Sequence, residues 1–239
     1  MNNFKPEPLV VGAIATNCWI VPAAPAEGGL SGECVVIDPG DEAPLIIAQL
    51  KALKLCPRYI LLTHGHFDHV MALPDLLSAL ARDPAFASCP APEIAIHRED
   101  AAYIGPGAYE AHRRSLAAVT GSGDYIDRIW KPIPAPGRLR EEGDRVGPFT
   151  VLHTPGHTPG SVCFFMEREK LLFSGDTLFQ GGEGRTDLPG GDYQAIVKSL
   201  KRLLALDGGI AVFPGHGGTT TIEEERRYYD YSAGGFTGC

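Results

Sequence analysis

Short apolar runs alternate with amphipathic stretches along the chain, and this alternation predicts strands separated by helices. Predicted strands cover residues 9–21, 33–38, 59–63, 94–97, 149–153, 161–166, 170–174 and 210–213. Predicted helices cover residues 41–55, 70–81, 98–104, 109–119 and 192–206. The first two strands are expected to pair as a hairpin, and strands interleaved with helices are typical of an α/β or α+β sandwich. No linker separates two cores, so residues 1–239 are predicted to form a single domain.

The helix predicted over residues 41–55 rests on three observations. Ile46, Leu50 and Leu53 fall on one face, Asp41 is the expected N-cap, and a proline is tolerated in the first turn. The stretch 105–136 is less regular, and its role is not predicted. Three tyrosines in or beside it are expected either to line a substrate pocket or to pack the loop: Tyr103, Tyr109 and Tyr125.

Charge and composition restrict the classes of partner. The 239 residues include 29 acids against 21 Lys and Arg, which leaves a net charge of -8. Surfaces that bind nucleic acids or anionic membranes are basic, so neither partner is predicted and a small-molecule substrate is expected. No apolar run approaches the roughly 20 residues that span a bilayer. Residues 9–21 are apolar enough to suggest an export signal, but they are predicted to be a strand, with export as the alternative.

The cysteines indicate a reducing compartment. Six of them are scattered along the chain with no C-x-x-C pair, at positions Cys18, Cys34, Cys56, Cys89, Cys163 and Cys239. This spacing predicts reduced thiols and a cytoplasmic protein. None of them adjoins the histidine-rich stretch described next, so a thiolate metal site is not expected.

The stretch T-H-G-H-F-D-H at residues 63–69 places four potential metal ligands directly after an apolar strand. His64 and His66 are two apart in an extended segment, so their side chains point to the same side. Asp68 and His69 follow, and a turn there would present them as a second pair beside the first. Histidines that cap helices or hydrogen-bond within a core do not account for this density. The stretch therefore predicts a metal site, and its two adjacent pairs suit two metal ions.

A tetrahedral metal needs further ligands from elsewhere in the chain. Three more candidates each follow an apolar strand and a glycine: His157, Asp176 and His216. In α/β sheets, ligands gather outside the ends of strands, so these termini are expected to converge on one cleft. The recurrence predicts a single composite site.

These motifs resemble those of the metallo-β-lactamase fold. The matching blocks occur in order between residues 63 and 216: His64-x-His66-x-Asp68-His69, Gly156-His157, Gly175-Asp176 and Gly215-His216. The resemblance implies a four-layer αββα sandwich with the site at one edge of its two sheets. It also implies one metal on His64, His66 and His157, another on Asp68, His69 and His216, and Asp176 as a bridge between them.

Within that superfamily the chain is most similar to glyoxalase II-like thioester hydrolases of the single-domain, bacterial type. The similarity lies in three segments: residues 154–160 (TPGHTPG), 174–179 (SGDTLF) and 184–190 (GRTDLPG). Asp176 stands where the best-known zinc β-lactamases have cysteine, which disfavours β-lactam hydrolysis. Only 23 residues follow His216, too few for the helical domain with which full glyoxalase II enzymes hold glutathione.

The resemblance implies hydrolysis of a thioester such as S-lactoylglutathione by a hydroxide that bridges two metal ions. Zinc is the expected metal, with iron or manganese as alternatives, because the ligand set is free of thiolates. Asp68 and Asp176 are the predicted catalytic residues, Asp68 as a ligand that also orients the hydroxide. Arg185 is predicted to bind a substrate carboxylate, and a salt bridge with Asp187 is the alternative. The oligomeric state is not predicted.

Three other functions are compatible with the motifs. A persulfide dioxygenase would use one iron on two histidines and one aspartate, a lactonase or esterase would use the same metal pair, and a binding module would show no turnover. The remaining histidines are not expected to be ligands. His153 is predicted to pack or to support the ligands, and His97 and His112 are predicted to be ordinary surface or strand-end residues.

Overall fold

The computed structural model describes residue 6 and residues 8–22 and 32–229. The strands of this part are β1 (Pro8–Val11), β2 (Thr16–Pro22), β3 (Gly32–Ile37), β4 (Leu55–Leu61), β5 (Glu93–His97), β6 (Arg138–Arg140), β7 (Arg145–Val146), β8 (Phe149–His153), β9 (Val162–Met166), β10 (Leu171–Gly175), β11 (Leu178–Phe179), β12 (Gly182–Glu183), β13 (Ala211–Pro214) and β14 (Thr220–Thr221). The helices are α1 (Ala43–Leu53), α2 (Phe67–Val70), α3 (Leu73–Arg82), α4 (Ala108–Thr120), α5 (Asp124–Ile129), α6 (Tyr193–Leu204) and α7 (Ile222–Tyr228). Two 3₁₀ helices cover Pro84–Phe86 and Arg98–Tyr103.

Two six-stranded sheets form the centre of the fold. The first has the order β1-β2-β3-β4-β5-β6, and the second has the order β14-β13-β10-β9-β8-β7. β2 and β3 pair antiparallel, which confirms the predicted hairpin, while β3, β4, β5 and β6 run parallel. In the second sheet β8 and β10 are both antiparallel to β9, and β13 is parallel to β10. The C-terminal ends of β8, β10 and β13 therefore lie at one edge.

Apolar side chains alternate between the two faces of each central strand, and both faces are buried. On β3, Cys34 and Val36 point to one apolar cluster, whereas Val35 and Ile37 point to another. The first cluster includes residues of α1 and α3, so these helices cover the outer face of the first sheet. The second cluster joins the two sheets, and a third places α6 and α7 on the outer face of the second sheet. Four layers result, in the order αββα, as the resemblance implied.

The N-terminal apolar run is two strands rather than one. Residues 9–21 divide into β1 and β2, which pair as a hairpin around residues 12–15. Gly12 (φ +71°) and Ala15 (φ +59°) adopt left-handed backbone conformations there, and the Ala15 N–H donates to the Gly12 carbonyl. The sequence of this turn lacks the Asn-Gly or Pro signals that mark most turns, which is why the pattern did not reveal it.

The helix predicted over residues 41–55 is present as α1, with two corrections. Its N-cap is Glu42 rather than Asp41, and no side chain caps it. Asp41 instead accepts a hydrogen bond from the Glu42 N–H at 2.7 Å. Ile46 and Leu50 are buried as predicted, but Leu53 is exposed. The helix ends at Leu53 because Lys54 turns left-handed (φ +55°) and leads directly into β4.

Two cysteines correct the prediction that all thiols are reduced. Cys56 in β4 and Cys89 after α3 form a disulfide, with their Cα atoms 5.6 Å apart. Cys18, Cys34 and Cys163 are free and buried, and Cys239 lies outside the described residues. The cytoplasmic location that was inferred from reduced thiols therefore stays a prediction. No helix in the described part of the chain is long and apolar enough to cross a membrane.

Candidate metal centre

The histidine-rich stretch joins the first sheet to a short helix. β4 ends at Leu61, the chain bends at residues 63 and 64, and α2 begins at Phe67. His64 lies at the bend and His66 is extended just before the helix, whereas Asp68 and His69 lie in α2. The two pairs of side chains contribute to overlapping groups of potential ligand atoms.

The second sheet supplies the other three candidates from its strand ends. His157 follows β8, Asp176 follows β10 directly, and His216 follows β13. The structure brings all seven candidates together in three overlapping groups whose ligand atoms lie within 4.8 Å of one another. The groups are His64, His66 and His157; His64, His69 and Asp176; and Asp68, His69 and His216. The sequence prediction that four strand ends converge on one cleft thus describes the observed arrangement.

The first group contains three buried imidazoles with their nitrogen atoms facing inward. His66 Nδ1 and His157 Nε2 lie 2.8 Å apart. The rings of His64 and His157 are 4.7 Å apart and nearly perpendicular. His64 Nε2 is buried and has no hydrogen-bond partner. A buried nitrogen atom without a partner costs free energy. A metal ion among these three rings would accept the lone pair of His64 Nε2 and remove that cost.

The group of Asp68, His69 and His216, called the second group from here on, adds a carboxylate to two histidines. His69 Nε2 lies 3.3 Å from His216 Nε2 and 3.4 Å from Asp68 Oδ2, and His216 Nε2 lies 3.2 Å from the same oxygen. Asp68 Oδ2 is held in place by the Thr16 hydroxyl, which donates to it at 3.0 Å. This set of nitrogen and oxygen donors suits a divalent transition metal.

Asp176 lies between the two groups. Its Oδ2 is 3.6 Å from His157 Nε2 and 3.5 Å from His216 Nε2, and its Oδ1 is 3.5 Å from His69 Nε2. Oδ1 is buried without a hydrogen-bond partner. A carboxylate whose Oδ2 lies near nitrogen atoms of both groups has the position of a bridging ligand.

Hydrogen bonds on the far side of two rings, His64 and His157, orient them toward the cluster. The Thr63 hydroxyl donates to Asp38 and therefore accepts from His64 Nδ1 at 3.1 Å. His157 Nδ1 lies 2.7 Å from the Arg185 carbonyl, which can only accept. Both imidazoles are thus protonated on Nδ1, which leaves the Nε2 lone pairs free for a metal.

Asp38 is a site residue that the sequence did not reveal. It follows β3 directly, has a left-handed backbone conformation (φ +52°) and is buried. Its carboxylate accepts from the Thr63 N–H at 2.7 Å and the Thr63 hydroxyl at 2.6 Å, and it lies 3.0 Å from His69 Nδ1. Asp38 therefore orients His69 directly and His64 through Thr63. The sequence signal was an aspartate after a buried strand, in Asp-Pro-Gly, which also marks an ordinary turn.

We expect Asp38→Asn to lower metal affinity about 10- to 100-fold, because it removes the charge that orients His69. Asparagine tolerates a positive φ, so the backbone should be preserved. Competition with a chromophoric chelator measures the affinity. Asp207→Asn, in an exposed turn, is the matched control. Unchanged affinity in Asp38→Asn would contradict the orienting role.

The charges of the cluster favour metal binding near neutral pH. Burial lowers the pKa of His66 to about 3 and holds that of His64 well below its usual value, so both are neutral. Burial opposes ionisation of Asp68 and Asp176, but His69 and its neighbours hold both pKa values below the ordinary range. Burial also opposes a proton on His69, yet the carboxylates, Asp176 first, raise its pKa well above usual. A metal at His69 Nε2 would displace that proton.

Asp100 links the two loops that carry the first group. It is fully buried and accepts from the Gly65 N–H at 2.9 Å, between the ligands His64 and His66. It also accepts from the Thr158 hydroxyl at 2.8 Å and the Gly160 N–H at 2.7 Å, beside His157. One side chain thereby fixes the spacing of two loops from different sheets.

The close approach of Gly215 to the cluster leaves no room for a side chain. A Cβ atom at this position would overlap Asp176 Oδ1 and lie 2.8 Å from His69 Cε1. The Gly215 carbonyl also accepts a hydrogen bond from the Asn17 N–H at 2.7 Å, which ties this loop to β2. Glycine is therefore required at this position by the packing of two ligands.

Arg185 is placed differently from its predicted role. Its guanidinium forms two hydrogen bonds with Asp187, at 2.7 and 2.8 Å, which is the alternative left open by the sequence. It does not line the large cavity described below. Its backbone carbonyl, rather than its side chain, contacts the cluster through His157. A substrate contact by Arg185 therefore stays a prediction that this geometry does not favour.

The other histidines lie apart from the cluster. His153 stacks on His97, with ring centroids 4.0 Å apart, and its Nε2 lies 2.8 Å from the Pro159 carbonyl. His153 is thus packed, as predicted. His97 ends β5 as expected, although it is buried. His112 is buried in α4 rather than at the surface, and its Nε2 donates to the Tyr103 carbonyl at 2.8 Å.

Burial lowers the pKa of His112 to about 4, and this predicts a pH dependence. Unfolded histidine titrates near 6.5, so the unfolded chain binds more protons between pH 6.5 and pH 4. Stability is therefore lost as the pH falls through this window. We expect His112→Gln, which keeps a donor for the Tyr103 carbonyl, to reduce this loss by about 2–3 kcal/mol. Urea unfolding at pH 7 and pH 4.5, with chelator present, measures the free energy of unfolding at each pH. An equally large loss of stability in His112→Gln would contradict this role of His112.

A cavity of about 880 Å³ opens beside the cluster. Asp68 and Thr16 line its inner end, and the turn of the N-terminal hairpin forms one wall. The opposite wall comes from α4, α5 and the residues after α5, including Tyr125 and Trp130. Tyr125 is thus a pocket residue, whereas Tyr109 packs on Trp130 and Tyr103 contacts the His66 ring. The size is within the range of small-molecule binding sites.

The fold is an αββα sandwich of two sheets packed between helices. Five histidines and two aspartates gather where four of its strands end, as in a metallohydrolase. The sequence model of the metallo-β-lactamase superfamily matches residues 11–216. The chain belongs to this superfamily, whose members are generally metal-dependent hydrolases.

Individual relatives agree with this assignment. Hydroxyacylglutathione hydrolase GloC of Haemophilus influenzae is 35% identical over 198 residues, which are 80% of this chain and 84% of that protein. TTHA1623, solved in a di-iron-bound form, is 39% identical with a TM-score of 0.73, over 93% of this chain and 98% of that one. The BLEG-1 B3 metallo-β-lactamase is 32% identical with a TM-score of 0.73, over 93% and 97% of the two chains.

Proposed function

We propose that the protein is a two-metal hydrolase of thioesters, and that its substrate is an S-(2-hydroxyacyl)glutathione such as S-lactoylglutathione. The observation that carries this proposal is the position of Asp176 between two complete ligand groups, with its Oδ2 facing His157 of one and His216 of the other. A single metal would leave one of these groups unused. The identity to GloC supports the choice of substrate.

Each side chain of the cluster has a role in this proposal. His64, His66 and His157 would hold one ion; Asp68, His69 and His216 would hold the other; and Asp176 would bridge them. Two divalent ions held there would generate a nucleophile from water at neutral pH and polarise the thioester carbonyl. Zinc is the metal we propose first, and the di-iron form of TTHA1623 supports iron as the alternative.

Asp68 is the ligand nearest to the substrate in this arrangement. Of the seven candidates it is the one that lines the cavity, and the Thr16 hydroxyl fixes its Oδ2. Its depressed pKa keeps it a carboxylate at every physiological pH. Asp68 can therefore accept a hydrogen bond from the attacking water and orient it toward the carbonyl carbon.

The chain's own cysteines do not provide a nucleophile in the part of the chain that the structure describes. Cys18, Cys34 and Cys163 are fully buried, and burial raises the pKa of each thiol, that of Cys34 to about 12. None of them lines the cavity. This supports water, rather than one of these thiols, as the attacking group in the proposed reaction.

The test is elemental analysis of the purified protein coupled to hydrolysis of S-lactoylglutathione, with and without chelator. We expect two metal ions per chain, hydrolysis that chelator abolishes, and recovery when zinc or iron is restored. A lactone and a β-lactam serve as comparison substrates and should be cleaved more slowly. A single iron per chain with oxygen uptake on glutathione persulfide would replace the proposal with a dioxygenase. Full metal loading without turnover of any of these substrates would indicate a binding module.

A further inference from the structure

The large cavity is longer than an acyl group requires. Its lining includes Asp68 of the cluster and, from the wall formed by α5 and the residues after it, Arg128 and Lys131. Apolar side chains from both walls line the space between, among them Ile14, Met71, Leu116, Ile129 and Trp130. A thioester with its carbonyl at the metals would thus place the far part of its thiol half beside α5.

One cation of that wall has no acidic partner among the residues that the structure describes. The Lys131 ammonium is 2.5 Å from Asp75 Oδ2 and is neutralised by it. Arg128 donates to the backbone carbonyl of Asp124, through Nε at 3.3 Å. No carboxylate among the described residues forms an ion pair with Arg128. Its terminal nitrogen atoms are therefore available to an anionic group in the cavity.

We propose that Arg128 binds a carboxylate on the thiol half of the substrate, so that α5 determines which thiol carriers the enzyme accepts. This inference rests on the proposed thioesterase function, which supplies the thiol half. A guanidinium and a carboxylate form charge-assisted, bidentate hydrogen bonds, which select this group by geometry as well as charge.

The remaining charges of the cavity favour a small zwitterion over a polyanion. Four acids line it, Asp41, Asp68, Asp75 and Asp124, against the two cations. A carrier with several phosphates, such as coenzyme A, would meet more repulsion than attraction there. Glutathione carries two carboxylates and one ammonium group, so one carboxylate can pair with Arg128 while the ammonium lies near an acid. The cavity thus fits a carboxylate-bearing peptide thiol.

Steady-state kinetics with two thioesters of the same acyl group test the contact. S-lactoylglutathione carries carboxylates on its thiol half, whereas S-lactoyl-N-acetylcysteamine carries none. We expect Arg128→Gln to raise KM for the first about tenfold with kcat nearly unchanged, and to leave the second unaffected. The KM of Arg128→Lys for S-lactoylglutathione should lie between those of the wild type and Arg128→Gln. Arg168→Gln, in the exposed turn between β9 and β10, is the matched control.

Binding provides a measurement that does not require turnover. Trp130 lines the cavity, whereas the other tryptophan, Trp19, is buried between the sheets. The inert thioether S-methylglutathione should change Trp130 fluorescence in the wild-type protein with a dissociation constant about tenfold lower than in Arg128→Gln. Trp130→Phe should abolish the signal. This titration can be carried out even if the metal-loaded protein hydrolyses no thioester. It therefore tests whether Arg128 binds the thiol half independently of whether the proposed hydrolysis occurs.

Three results would overturn the inference. Equal KM and equal S-methylglutathione affinity in Arg128→Gln and wild type would show that Arg128 does not contact the thiol half. An equal rise in KM for both thioesters in Arg128→Gln would show that the substitution disturbs the structure rather than a contact with a carboxylate. A lower KM for lactoyl-coenzyme A than for S-lactoylglutathione in the wild type would show that phosphates, rather than a carboxylate, are bound.

Discussion

Asp176→Ala should lose at least one metal ion and about a thousandfold or more in kcat/KM for the thioester, which corresponds to about 4 kcal/mol of transition-state stabilisation. The size of this effect follows from the position of the carboxylate, within 3.6 Å of nitrogen atoms from both ligand groups. Its removal leaves the second group without its bridging oxygen. It also leaves His69 and His216 with less negative charge beside them, so their affinity for a cation falls.

Metal analysis and kinetics must be combined to interpret this variant. Asp176→Asn keeps the shape and removes the charge, so it should retain more metal than Asp176→Ala while remaining slow. Asp187→Ala removes an exposed carboxylate that pairs with Arg185, and it should keep both metals and most of the activity. Two metals and normal turnover in Asp176→Ala would exclude a bridging role.

Gly215→Ala is expected to reduce activity about a hundredfold or more without removing any ligand. A methyl group at this position would overlap Asp176 Oδ1 and crowd the His69 ring. Both side chains must move, and an error of about 1 Å in a catalytic group can cost two orders of magnitude in rate. Thiol release from S-lactoylglutathione measures the rate, and elemental analysis shows whether the metals remain.

Gly182→Ala is the control for this substitution. Gly182 lies in β12, in a conformation without positive φ, and a Cβ atom there would meet nothing within 4 Å. It should therefore behave as wild type. If Gly215→Ala also kept full activity and both metals, the cluster would be more tolerant of displacement than its packing indicates.

The ligand candidates were predictable because their signals are local. Each follows an apolar strand, and strand ends on neighbouring strands meet at one edge of a sheet. His64, His66, Asp68 and His69 needed only the spacing within seven residues, while His157, Asp176 and His216 needed the recurrence of the same strand-glycine-ligand pattern.

The residues that support and surround the ligands depend on long-range pairing that no local pattern contains. Asp38 reaches Thr63 because β3 lies beside β4, with Ile37 opposite Leu61. The disulfide between Cys56 and Cys89 likewise joins residues 33 positions apart. Arg128 lies in a short helix inside the stretch 105–136, whose irregular pattern did not predict α5, although Tyr125 in it was expected either to line a pocket or to pack the loop. Strand order and packing, rather than residue type, decide these contacts.

Every ligand group draws on both sheets, and this joins the chemistry of the site to the assembly of the fold. His64, His66, Asp68 and His69 come from the first sheet, and the other three candidates come from the second. An ion held by such a group is a noncovalent cross-link between the N-terminal and C-terminal halves of the chain. Its binding free energy adds to the docking of the sheets, since the unfolded chain offers no comparable chelate. Metal supply would then govern the lifetime of the folded protein as well as its turnover.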